Sequence, residues 1–127
     1  KKMVWKDGVW MDLSAMVLKE LAAAEERAKE GKRFEVIYPR TLVPMDTDVW
    51  MKSVKKKNML VVISEAVERG SIASDIVAIV NDKAFDYLDA PVKRVCGLNT
   101  AIPYNSKLEK ACVPSIEDII EAVKGMF

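Results

Sequence analysis

Met59-Leu60-Val61-Val62-Ile63, bounded by Asn58 and Ser64, is the stretch on which the fold class turns. Five consecutive apolar residues, three of them β-branched, leave no polar face for water. Such a run suits a strand covered on both sides, so it predicts the middle of a sheet between helical layers. Before it, Asp46 or Thr47 can cap a short helix running through Val54, with Lys55-Lys56-Lys57 at the end where cations suit the helix dipole. Further back, Phe34-Glu35-Val36-Ile37 reads as a strand ending at Pro39. Ser14 is placed to cap a helix over Ala15 to Glu30 that stops at Gly31. Val9 to Leu13 reads as a strand, and Met3-Val4-Trp5 adds a short edge strand.

On the other side of the run, the spacing of Ile76, Ile79, Val80, Phe85 and Leu88 predicts a helix over 74–88, closed by Asp89-Ala90-Pro91. Val92 to Cys96 forms another strand. A loop containing Pro103 and Pro114 then leads to Ser115, which caps a last helix with Asp118 as the capping-box acid and Ile116, Ile119, Ile120 and Val123 as its buried stripe. This alternation implies an α/β domain spanning 1–127, with a mostly parallel sheet between helices.

Bulk composition excludes several function classes. With 20 basic and 19 acidic residues the net charge is +1, so no overall field steers the chain toward nucleic acid or an anionic membrane. Apolar runs are far shorter than a membrane span, and no secretory leader pattern opens the chain; a cytoplasmic protein is expected. There is no histidine, which removes Ser-His-Asp and Cys-His nucleophilic systems and the commonest zinc ligand. Cys96 and Cys112 read as free, packed thiols. The five glycines are too dispersed for a dinucleotide fingerprint or a P-loop, so no cofactor is expected. Glu65, Glu68 and Arg69 follow the central strand, where open α/β sheets place ligands, but structural ion pairing outweighs catalysis there. Three tryptophans and seven methionines are more informative, because such side chains are costly on an uncovered surface. In Met45 to Met51, three consecutive bulky residues point in different directions on a helix, so at least one of Val49, Trp50 and Met51 should face outward.

From Arg33 onward the chain resembles the C-terminal domain of the β subunit of the pyruvate, branched-chain 2-oxo acid or acetoin dehydrogenase E1 component, which has the transketolase C-terminal fold. The segments that carry this are Arg40-Thr41-Leu42-Val43-Pro44, Ala84 to Val95 with its Phe85-Asp86-Tyr87-Leu88-Asp89-Ala90-Pro91 core, Ile102-Pro103-Tyr104-Asn105, Leu108-Glu109-Lys110-Ala111 and Pro114 to Val123. The helix after Ser14 fits as well. The resemblance implies a three-layer α/β/α sandwich around a five-stranded mixed sheet, with the first strand antiparallel to the rest. It also implies a non-catalytic domain: thiamine diphosphate and magnesium are held by other domains of that family, while this one packs subunits and helps dock the acyltransferase core. If Phe127 is the true terminus, the resemblance implies that its free carboxylate contributes to that docking.

Four stretches depart from the family pattern: Gly8 to Leu13, Tyr38-Pro39, Val49-Trp50-Met51 and Gly70-Ser71-Ile72-Ala73. All fall at or beside the C-terminal ends of strands, which share one edge of the sheet. The expectation is a single protein-binding patch of Trp10, Asp12, Tyr38, Val49, Trp50, Met51 and Ile72, with Asp12 as a polar anchor. This favours an excised domain whose surface has been engineered to bind another protein, such as an enzyme whose site it covers. The alternative is a natural E1 β fragment serving subunit association and acyltransferase docking. Either way a protein is the expected partner, not nucleic acid or membrane, and any homodimer should be weak.

Overall fold

The computed structural model describes residues 7–12 and 16–126. Four strands, β1 (Asp7–Asp12), β2 (Arg33–Ile37), β3 (Leu60–Val67) and β4 (Lys93–Gly97), lie in the order β2-β1-β3-β4, and every pair is parallel. Five helices accompany them: α1 (Val17–Ala28), α2 (Thr47–Lys57), α3 (Ile72–Ala84), α4 (Ser106–Cys112) and α5 (Ile116–Lys124). The sheet therefore differs from the five-stranded mixed sheet expected, having four strands among the described residues and none antiparallel. Met3-Val4-Trp5, the expected edge strand, and the Ser14 cap lie outside the described residues.

Side-chain alternation along the strands builds the two halves of the core. Val9 and Met11 pair with Leu60 and Val62 and point to one side, where Trp50, Met51 and Val54 of α2 and Ala73, Ile76 and Val80 of α3 cover them. Trp10, Val61, Ile63 and Val95 point to the other, against Met16 and Ala23 on the α1 side and Ile119 and Val123 of α5. β3 is buried on both faces from Leu60 to Ile63, as its unbroken apolar run requires.

Local signals set the helix ends. Asp46 caps α2 by accepting from the Val49 amide, and Asn58 stops it in the left-handed region at φ 65° after the three lysines. Ser115 and Asp118 form the expected capping box on α5. The α3 periodicity runs out at Ala84, and Phe85–Tyr87 tightens into a 3-10 turn instead of continuing the helix to Leu88. α4 falls where the sequence suggests only a loop: seven residues, none buried, carry no apolar stripe to announce it. Its signal is local, Asn105 accepting from the Lys107 and Leu108 amides.

β3 also runs four residues further than its apolar core, with an irregular register between Ile63 and Val67 where it pairs with β4. At the end of that pairing Gly97 is buried, and a Cβ there would lie 2.5 Å from the Glu65 carbonyl and 3.1 Å from that of Cys112. Only glycine lets three backbone segments meet at this point.

Candidate functional site

The carboxyl edge of the parallel sheet gathers the ends of all four strands, so the seven residues expected to form a patch can be placed directly. Tyr38 and Val49 are exposed, and they line one cavity of about 380 Å³ together with Arg40, Pro44 and Trp50. Val49 is thus the outward member of its triplet. Trp50 and Met51 are not adhesive groups: they are 2% and 7% exposed and belong to the core beneath α2. Trp10 is wholly buried on the opposite face of the sheet and stacks on Phe34 with ring centroids 4.4 Å apart. The physical reason is the strand period: Trp10 lies between Val9 and Met11 and points to the other side of the sheet from them, where Met16, Ala23, Ile119 and Val123 pack around it. Ile72 opens α3 and packs partly against the core. Asp12 ends β1 at the same edge, and its side chain lies outside the described residues. Among the described side chains of the seven, only Tyr38 and Val49 are exposed, and they do not join the others in one surface.

The described residues expose a different apolar stretch. Leu98, Ile102 and Tyr104 on the β4–α4 connection and Leu108 in the first turn of α4 are 58, 70, 106 and 57% exposed within eleven residues. Ile102-Pro103-Tyr104-Asn105 is legible in the sequence as a family signature but not as a surface. The available signal was four large apolar residues at intervals of four, two and four, which keep neither the helical nor the strand period, in a segment broken by proline and asparagine.

Both ends of this stretch are anchored. The Leu98 amide donates to the Cys112 carbonyl and the Thr100 amide to that of Leu98, while Asn105 caps α4 at the far end. Asn99 is fixed between neighbours: its Oδ1 accepts from the Arg69 amide at 2.9 Å, and its Nδ2 donates to Glu68 Oε2 at 3.4 Å. Arg94 of β4 completes the cluster. Its Nη1 donates to the Glu68 carbonyl and to Ser74 Oγ, and its Nη2 pairs with Glu68 Oε1 at 3.2 Å.

Glu68 is thus an ion-pairing residue, and its partner is Arg94 rather than its neighbour Arg69. Glu65 lies apart, in a shallow cavity with Lys19, Ser106 and Lys110. The two carboxylates share no lined cavity and do not form an acid–base pair. Behind the Glu68 cluster a cavity of about 370 Å³ is lined by Arg94, Cys96, Asn99, Cys112 and Asp118. Both cysteines are free and half-buried. Burial pushes the Cys96 thiol up, against the pull of Arg94 and with a smaller push from Glu68, which leaves it a poor nucleophile. The Ser115 amide and hydroxyl hold the Asp118 carboxyl below its ordinary range. Among the described residues no group of three or more Cys, Asp or Glu is arranged to hold a metal, and no helix is long and apolar enough to cross a membrane.

Residues 12–119 match the family described as transketolase, C-terminal domain. The mitochondrial pyruvate dehydrogenase E1 component subunit beta of Dictyostelium discoideum is 40% identical over 119 residues, covering 94% of this chain and 33% of that protein. Acetoin:2,6-dichlorophenolindophenol oxidoreductase subunit beta of Bacillus subtilis (strain 168) is 43% identical over 100 residues, 79% of this chain and 29% of that one. Among solved structures, a split gene transketolase described as an inactive beta4 tetramer superposes with a TM-score of 0.79 over 97% of this chain and 39% of its own, at 21% identity, and shows the same fold. The chain spans about a third of the length of these curated relatives.

Proposed function

The chain belongs to the transketolase C-terminal domain family, and from that premise we propose that it is a non-catalytic association domain of the E1 β type. It packs against the remainder of a 2-oxo acid dehydrogenase E1 assembly, and the chemistry belongs to regions outside it. The observation that carries this reading is the exposed stretch from Leu98 to Leu108. Large apolar side chains on water-facing, anchored backbone cost solvation unless a partner covers them, and interface cores favour such aromatic and aliphatic groups. The occupant follows from length: relatives at 40% identity extend to about three times this chain, so most of such a subunit lies outside the segment described. The cytoplasm is the compartment proposed with this role; the Dictyostelium relative is named as mitochondrial.

A surface engineered for a chosen partner is the competing reading. It keeps Tyr38, Val49 and the partly buried Ile72, and loses Trp10, Trp50 and Met51 to the core. The association role draws on a stretch whose four large apolar residues are all exposed.

The test is a chimera in which this chain replaces the matching third of the Dictyostelium β subunit, co-produced with that enzyme's partner subunit and sized by light scattering. Assembly as in the parent supports the proposal. A chimera with native-like circular dichroism that remains unassembled contradicts it.

A further inference from the structure

We propose that Glu68 and Asn99 form a latch whose role is to position the Leu98–Tyr104 stretch for its partner. The inference rests on the association reading for its consequence, though not for its geometry. Three separate segments meet at the latch: the turn after β3 carrying Glu68 and Arg69, β4 through Arg94, and the β4–α4 connection through Asn99. The Leu98–Cys112 backbone bond holds the start of the connection to the end of α4, whereas Asn99 holds it to the turn after β3. Asn99 uses both ends of its amide. Oδ1 receives a backbone N–H from Arg69, and Nδ2 gives a hydrogen to a carboxylate already oriented by Arg94. Glu68 is the hub because its two oxygens divide the work, Oε1 taking Arg94 and Oε2 taking Asn99. None of these groups touches a reacting atom; they act through the loop, as positioning residues.

This donor and acceptor order makes a specific prediction about swapping. Asn99→Asp keeps an oxygen for the Arg69 amide but sets a carboxylate against Glu68, so the latch should open. Glu68→Gln keeps an oxygen for Arg94 but turns an N–H₂ toward the Asn99 N–H₂, which also opens it. Combining Glu68→Gln with Asn99→Asp restores one N–H···O bond with its direction reversed and leaves the net charge as it was.

The test is amide hydrogen exchange on the chain itself, read at Arg69, Leu98 and Thr100, beside the assembly of the chimera described above. Each single variant should exchange roughly fivefold faster at these amides, the effect of losing about one hydrogen bond, while exchange in β3 stays unchanged. The double variant should return toward the parent. Single variants that exchange like the parent, or a double variant no better than the singles, overturn the latch whatever the chimera does. Singles that loosen the amides but assemble with unchanged affinity overturn the positioning role and leave association standing. A chimera whose parent form fails to assemble overturns the association reading, and with it the latch's role in presenting the loop.

Discussion

Trp50 and Tyr104 are both large aromatics in segments that the family resemblance singled out, one as a departure and the other as a match. Trp50 is 2% exposed and Tyr104 is fully open to water. The region from Tyr38 to Met51 carries residues that look like an interface, yet uses Trp50 and Met51 as core and leaves Tyr38 and Val49 exposed. The region from Leu98 to Leu108 looks ordinary and presents its apolar side chains outward. What separates them is the local backbone: α2 has a capped start and a stripe that turns Trp50, Met51 and Val54 together onto the sheet, whereas the β4–α4 connection has no regular period with which to bury anything. Residue type says how much a side chain gains from cover, and the period of its element says whether the fold supplies that cover.

The largest effect should come from testing Trp50 as core. Trp50→Ala is expected to destabilise the chain by about 3–5 kcal/mol, as large-to-small core changes do, read as a lowered denaturation midpoint. Trp50→Phe should cost only about 1–2 kcal/mol, because the indole N–H it removes is buried without an acceptor. If Trp50→Ala left stability unchanged and weakened assembly instead, the two regions would have to exchange roles.

Gly97 tests the junction on which the exposed stretch rests. Gly97→Ala drives a methyl group into the Glu65 and Cys112 carbonyls and should cost about 1–3 kcal/mol, the range of overpacking. Urea titration measures it, and a neutral result would mean the three backbone segments can separate at little cost.

A smaller, pH-dependent effect sits beside that junction at the start of α5. Ser115→Ala should cost about 1 kcal/mol through loss of the N-cap. Asp118 has a folded-state pKa below its unfolded value, so its contribution is fully present above the ordinary aspartate range and is lost as pH falls through the lowered folded value. Thermal melts of Asp118→Asn should therefore approach the parent as pH drops below that range; a constant gap down to strongly acidic pH would show that the carboxylate charge is not what the cap uses.

The smallest effect on stability is expected where the effect on assembly is greatest. Tyr104→Glu is a surface change and should move stability by no more than about 0.5 kcal/mol. A larger loss would make Tyr104 a folding residue.

The α/β class, both cores and the α5 cap were legible because each rests on a period or a local motif: the unbroken Met59–Ile63 run, the Ile119 and Val123 stripe, the Ser115 and Asp118 pair. α4 was hidden because a seven-residue helix that buries nothing leaves no pattern to find. The candidate site was harder to read. Glu68 was seen as a paired carboxylate, but its partners Arg94 and Asn99 lie 26 and 31 residues away, and only the β3–β4 pairing brings them together. The expected patch failed for a related reason: Trp10 sits inside β1 rather than at its end, and the helical cover laid over both faces of that strand is a tertiary fact.

The contrast between the two regions reduces to one measurement, the assembly of the β-subunit chimera by concentration-dependent light scattering with two paired variants. Ile102→Glu with Tyr104→Glu should weaken assembly by at least about tenfold, as loss of central apolar contacts does. Tyr38→Glu with Val49→Glu should leave it within about twofold, as expected of residues outside the interface core. Disruption by the Tyr38 and Val49 pair, with the Ile102 and Tyr104 pair assembling normally, would contradict the account and return the binding surface to the region where the chain departs from its family.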